Sequence, residues 1–499
     1  MKKYTLEIIV FITGACVMIL EMVGSRILAP HLGTSILVWT SLIGVILASL
    51  SLGYSWGGRL ADKKPSYTQL GKIIFLSGCY VGLTAIAKTH LLYFIQFSLH
   101  DLRLASLAAT LIIFAPPSVL LGMVSPYAVK LKMQTIATSG ATVGNLYAIS
   151  TVGSIFGTFI AGFYLIALLG NTSILFILAI TIVAVSLLAA PKNFFFIKIL
   201  AVSFFLISIS LNHALRLALQ KKGVIDIDTD YQRIISFETT DKKSNRPIRV
   251  IVTDPYGTQS AVFTDRDDDL VFEYAKYYRL TEHFVPHISR GMVIGGAGYT
   301  YPKDFLARFP KAKLDVVEID PGMTELARQY FSLQSIQNEP RLAIYHMDGR
   351  RFLNTTAERY DVIFGDAFRS LYSLPYALTT KEAVQKMFER LNDNGAVFVN
   401  IVSAREGRRG AFLAAEYATY RSVFPQVYLF PVSDTRADEM QNIILVAKKS
   451  PQTILRTSVN KDLQPYLDRR LADWSPATPR PILTDDYAPV DQYILQTIL

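Results

Sequence analysis

From Met292 the chain reads Met-Val-Ile-Gly-Gly-Ala-Gly-Tyr to residue 299, and Val316-Val-Glu-Ile-Asp-Pro follows to residue 321. An apolar strand that empties into glycines, a helix-length spacer and a second apolar strand ending on an acid leave few folds open. Glycines let the backbone turn tightly and bring a ligand against the main chain where a Cβ would block it. Glu318 stands twenty residues beyond Gly298, the distance at which the tip of the next strand offers a carboxylate to both hydroxyls of a ribose. The unit reads as a nucleoside-binding βαβ. Its expected ligand is an adenosyl or dinucleotide cofactor, held by Gly295, Gly296, Gly298 and Glu318.

The 499 residues are too many for one ordinary domain, and their composition changes near residue 213. Before it lie apolar runs with few charges at Leu6–Leu28, Leu37–Trp56, Ile73–Ala87, Ser106–Val124, Val143–Leu168, Ile174–Ala190 and Phe194–Leu211. Most approach the roughly 20 residues a bilayer needs. Residues 1–213 are therefore expected to form an α-helical multi-pass membrane bundle. Residues 214–290 follow as a small β-unit with a connecting helix, and 291–499 as a Rossmann-like α/β domain. The net charge of +10 needs no nucleic-acid partner, because basic residues beside membrane spans account for it. They cluster in alternate loops, at Lys2 and Lys3, Arg59 to Lys72, Lys130 and Lys132, and Lys192 and Lys198, which the positive-inside rule makes cytoplasmic.

Seven spans from a cytoplasmic start would leave the second half outside, away from adenosyl cofactors. The last run, with Lys198, is thus expected to lie along the interface, or Leu91–Leu104 to hide another crossing. The second half is expected in the cytoplasm. The run after Lys3 is too long for a cleavable signal and is expected to be kept. Cys16 and Cys79 both sit in apolar runs, so neither a disulfide framework nor a metal site is indicated. Glu21 and Arg26 are ionisable residues within the first run, Gly153 and Gly157 form a close-packing seam, and Pro116, Pro117 and Pro126 interrupt the fourth run.

After Tyr231, short apolar stretches at Ile234–Phe237, Ile248–Val252 and Ala261–Phe263, separated by turn residues, read as antiparallel strands. A helix is expected from about Leu270 to His287, then strands and helices alternate to Ile401, as in a doubly wound sheet with ligands at the strand tips. Three acids fall at successive tips: Glu318, Asp348 and Asp366. Any one of them alone reads equally well as a turn or helix cap. Together they converge on one crevice, with Glu318 at the ribose, Asp348 at the exocyclic amine of adenine and Asp366 at the reactive end. The loop lacks the third glycine of the dinucleotide fingerprint, which favours an adenosyl-sulfonium ligand.

These residues resemble the spermidine synthases, or polyamine aminopropyltransferases, in a form fused to a membrane domain. The likeness rests on Glu21–Pro30 and Gly53–Asp62 in the first half. In the second it rests on Tyr231–Ile234, Gly257–Ser260, the glycine loop, Val317–Pro321, Asp348-Gly349, Tyr360–Asp366 and Leu483–Val490. The resemblance implies that Gln232, Glu318, Asp348 and Gly349 hold the methylthioadenosine part of S-adenosylmethionine or its decarboxylated form, that Asp366 is the base, that no metal takes part and that the protein is a homodimer. Three positions depart from the family: its loop aspartate is Gly298 here, a second acid after the base is Arg369, and a histidine is Ala275.

Arg369 suits the carboxylate of S-adenosylmethionine itself, which opens transfer or elimination of a 3-amino-3-carboxypropyl group. Arg369 turned to solvent, with a polyamine still bound, is the alternative. Tyr372 and Tyr376 are expected on the acceptor side, and the acceptor is a small amine or a membrane-associated molecule. A methyltransferase, and a transporter or sensor that only binds an adenosyl or polyamine ligand, are the rival functions.

Overall fold

The structure is a computed structural model and describes residues 4–99, 101–133, 135, 139–254, 257–266, 269–367, 375–472 and 474–498. The chain divides into two compact units, one of residues 1–222 with 226–233, the other of 223–225 with 234–499.

Among the described residues of the first unit, six helices are long and apolar enough to cross a membrane: Thr5–Leu32, Ile36–Lys63, Tyr67–Ser98, Ser139–Leu168, Asn171–Ala189 and Phe195–Lys221. A further pair, Leu102–Ile113 and Ala115–Lys132, meets at a 47° bend. The bend falls at Pro116 and Pro117, whose rings remove N–H donors and crowd the preceding turn. Leu91–Leu104 holds no separate crossing. It is shared between the end of one helix and the start of the next, where Asp101 caps by accepting from the N–H groups of Arg103 and Leu104.

Lys198 does not expel its helix from the apolar set. It is buried, and its Nζ donates at 3.0 Å to the carbonyls of Ser186 and of Ala190, where the helix Asn171–Ala189 ends. A cation there meets carbonyls at the negative end of that helix, where Ser186 O also accepts from Ala190 N. The boundary expected at residue 213 falls within Phe195–Lys221, where Leu211, Leu215 and Leu219 keep a helical spacing despite Arg216 between them. Gly153 and Gly157 press on the main-chain carbonyls of Phe11 and Ala15, so this seam is a packing device between two helices.

In the second unit β1 (Arg233–Thr240), β2 (Pro247–Asp254) and β3 (Gly257–Phe263) pair antiparallel. Ile248, Val250, Ala261 and Phe263 bury one face of them. The main sheet contains β4 (Arg290–Ile294), β5 (Lys313–Val317), β6 (Leu342–Tyr345), β7 (Tyr360–Gly365), β8 (Leu391–Ser403), β9 (Gln426–Pro431) and β10 (Gln441–Lys448). Their order is β9-β10-β8-β7-β4-β5-β6, with β4 to β8 parallel and β9 and β10 antiparallel. The strand order reverses beside β4, which opens a crevice at the strand tips there.

The expected helix from Leu270 to His287 is instead three short turns, Glu273–Lys276, Tyr277–Leu280 and Thr281–Phe284. Tyr277 and Tyr278 are both buried, one against Tyr466 and the other against Phe364. The middle turn winds as a tighter 3₁₀ turn with both adjacent rings buried.

Candidate active site

The glycine loop follows β4 with Gly295 at φ +101°, Ala297 at +41° and Tyr299 at +56°. Gly295 N donates to the Val317 carbonyl at 2.9 Å, and a Cβ at this position would meet the Asp366 main-chain carbonyl. Only glycine fits both the dihedral and the contact. A Cβ at Gly296 would stand 2.7 Å from the buried Tyr299 ring, whose hydroxyl pairs with Thr324 Oγ1 at 2.9 Å.

Glu318 leaves the tip of β5 and is 8% exposed. Its Oε2 accepts from the N–H groups of Gly296 (2.9 Å) and Ala297 (3.2 Å), and its Oε1 from that of Asp320 (2.9 Å). Burial raises its pKa, and the three backbone donors pull part of that back. A carboxylate offers about four acceptor positions. With three filled, one on Oε1 has no partner among the described residues, so Glu318 braces the glycine loop with one acceptor position to spare.

Asp348 lies exposed at the tip of β6 and caps Gly349–Thr355, accepting from Arg351 N at 2.9 Å through Oδ1. The cap reading therefore holds for this acid, with Oδ1 in use. Gly349 is pressed on β4, since a Cβ there would stand 2.6 Å from Ile294 Cγ2.

Asp366 follows β7, and its N–H donates to the Ile294 carbonyl at 2.9 Å. Its carboxylate is held from two sides. Tyr274 Oη donates to Oδ2 at 3.1 Å and Asn400 Nδ2 to Oδ1 at 3.3 Å, while Asn442 Nδ2 donates to Asn400 Oδ1 at 2.9 Å. The buried Tyr278 hydroxyl completes no hydrogen bond of normal geometry, yet faces the same carboxylate. Desolvation pushes the Asp366 pKa up to about 6, against the lowering effect of Asn400, Tyr274 and Tyr278. A cavity of about 20 Å³ adjoins the carboxylate, lined among others by Ser260, Tyr274, Ala297 and Thr300. That is room for one water. Asp366 is the single acid among its described lining residues.

The sequence-predicted residues thus divide. Backbone and side-chain contacts bring Gly295, Gly296, Glu318, Gly349 and Asp366 around the tips of β4, β5 and β7. A Cβ at Gly298 would crowd Ser260 Oγ and stand 3.1 Å from Phe331 Cδ1, so a side chain there would press on both residues. Ala275 is buried and lines the cavity. Tyr376 is exposed on a short turn, Tyr376–Leu378. Gln232 belongs to the first unit, where its carbonyl accepts from Thr229 N at 2.9 Å. Arg369 and Tyr372 lie outside the described residues. Tyr274, Asn400 and Asn442 were not foreseen. The available signal for one of them was Asn400 itself, a lone amide inside the apolar run Ala396–Ile401, since a buried polar group needs a partner.

Residues 286–451 match the spermine/spermidine synthase domain. The chain is 26% identical over 278 residues to a polyamine aminopropyltransferase of Vibrio vulnificus (strain CMCP6), across 52% of this chain and 88% of that one. It is 28% identical over 191 residues to the eEF1A lysine and N-terminal methyltransferase of Homo sapiens, across 36% of this chain and 26% of that enzyme, about a quarter of its length. Among solved structures, a probable spermidine synthase from Corynebacterium glutamicum ATCC 13032 aligns with a TM-score of 0.39 and 21% identity, over 45% of this chain and 80% of that one.

Proposed function

We propose that this chain, whose C-terminal half belongs to the spermidine synthase family, is an aminopropyltransferase that binds an S-adenosyl donor, releases methylthioadenosine and is carried on a bilayer by its N-terminal helices. The observation that carries the reading is Asp366, a desolvated carboxylate with a pKa near 6 at the tip of β7, held on both oxygens and facing a cavity. Beside it an acceptor amine gives its proton to the carboxylate. The freed nitrogen lone pair attacks the carbon next to the sulfonium, the carbon–sulfur bond breaks with its electrons passing to sulfur, and neutral methylthioadenosine leaves. The raised pKa brings the base toward the operating pH, where proton transfer is most effective. The glycine loop, the open position on Glu318 and the free side of Asp348 are the groups this reading gives to the adenosyl part.

Gly298 favours a second reading within the same chemistry, transfer of a 3-amino-3-carboxypropyl group from S-adenosylmethionine. A side chain at residue 298 would press on Ser260 and Phe331, so the family's acid is replaced here by a glycine in a tight place, and Arg369 supplies a cation by sequence. Mass spectrometry of the purified protein in detergent with each donor, with and without putrescine, separates the cases. Methylthioadenosine from the unmutated protein and not from Asp366→Asn is the expected result, and the preferred donor identifies the group transferred. S-adenosylhomocysteine would replace the reading with a methyltransferase, and a bound donor without any product would leave a sensor.

A cytoplasmic catalytic half is proposed because adenosyl donors are found there. It requires that one of the seven apolar elements, the bent pair Leu102–Ile113 and Ala115–Lys132 included, does not cross, since seven crossings with cytoplasmic basic loops would put it outside. Protease added outside right-side-out vesicles should leave residues 234–499 intact, and their digestion would reverse the assignment.

A further inference from the structure

Asn400 and Asn442 lie outside everything assigned above, yet they end on the base. In the antiparallel pair of β8 and β10, Asn400 stands opposite Ile444 and Asn442 opposite Val402. Residues 442 and 444 share a face of their strand, so the two amides are diagonal neighbours on one face of the sheet. Asn400 is 5% exposed and set among apolar residues of β8. Its two hydrogen bonds fix its orientation: the oxygen accepts from Asn442 Nδ2 at 2.9 Å, which leaves the nitrogen to donate to Asp366 Oδ1 at 3.3 Å.

We propose that Asn442 is a positioning residue for Asp366, acting through Asn400: it holds the amide so that nitrogen, not oxygen, faces the carboxylate in every protonation state. A free amide can offer either end. Beside a protonated acid, an Asn400 without Asn442 turns its oxygen round and accepts from the acid, which stabilises the form that is not a base. With Asn442 in place, turning Asn400 alone would set two N–H₂ groups against each other, so both amides have to turn together, and this coupling favours Asn400 as the donor that suits the ionised form. Among the described residues the titratable groups that face Asp366 are Tyr274 and Tyr278, both neutral in the working range, so this amide pair is a separate control on the base. The inference rests on the reading of Asp366 as the base, and its test has a readout that does not need turnover.

Infrared difference titration of the Asp366 carboxyl in the full-length protein, with Asp366→Asn as the blank, gives the midpoint directly. Asn442→Leu is expected to raise it by about one pH unit, a tenfold change in proton affinity. The acid limb of methylthioadenosine release should move with it. Asn400→Leu should raise the midpoint as well, and the double variant no further than Asn400→Leu alone, because Asn442 acts only through Asn400. An unchanged midpoint in Asn442→Leu, or shifts that add in the double variant, overturns the proposal. If Asn442→Leu does not fold, Asn442→Ser removes the same amide with less bulk and carries the same expectation. A shifted midpoint in a protein that releases no methylthioadenosine would overturn the base reading and leave the orientation of Asn400 standing.

Discussion

Asp366→Asn is expected to lower the turnover of methylthioadenosine release by about 10²–10⁴-fold, the usual worth of a positioned base, while donor affinity stays within a few-fold. The substitution keeps shape and leaves the main-chain contacts of residue 366 to Ile294 and Gly295 untouched. What it removes is the proton acceptor. In the unmutated protein kcat/KM should rise tenfold per pH unit below about 6, where Asp366 ionises, and level off above it. A loss of donor binding equal to the loss of rate would mean that Asp366 is part of the binding surface instead. Stability should move the other way. A carboxylate whose folded pKa lies above its ordinary value of 3.8 favours folding in its protonated form, and that contribution is lost as pH rises from about 4 to about 6. Asp366→Asn should therefore melt higher than the unmutated protein above pH 6, with the difference vanishing below pH 4.

Glu416→Leu is expected to stabilise the second unit by about 1–3 kcal/mol at pH 8, the cost of a buried polar group without a partner. Glu416 lies on the helix Ala411–Arg421 and is 1% exposed, and its Oε1 accepts no hydrogen bond among the described residues. Burial alone drives its pKa far up, with nothing to pull it back. The sign follows. Because the folded protein holds this proton more tightly than the unfolded chain, the penalty grows as pH rises above the ordinary 4.5 and is absent below it. Thermal melts should show Glu416→Leu a few degrees above the unmutated protein at pH 8, with the gap narrowing toward pH 4 as the ionisation penalty fades. A lower melting point at pH 8 would mean that the carboxyl has a stabilising partner.

The features legible in sequence are those that one stretch of chain determines by itself. A bilayer demands long apolar runs, so the helices of the first unit announce themselves. A strand that ends in Gly295 and Gly296, or on Glu318 or Asp366, carries its position at a strand tip within a few residues. The support of the site is different, because it depends on pairings made across the sheet. Tyr274 reaches Asp366 over 92 residues and Asn442 reaches Asn400 over 42. The antiparallel β9 and β10 that bring Asn442 there came after the last strand that alternation indicated. Lys198 shows the same limit. Its charge read as an obstacle to a spanning helix, whereas carbonyls contributed by a neighbouring helix receive it.

Gly298 and Ser260 also constrain how this chain can change. Ser260 Oγ stands where the first atom of any side chain at residue 298 would have to go, with Phe331 close behind. A larger residue at 298 fits only if the Ser260 hydroxyl turns aside and Phe331 gives by a few tenths of an ångström. The two positions are therefore coupled: a change in the glycine loop is felt on β3, and a smaller residue at 260 eases it.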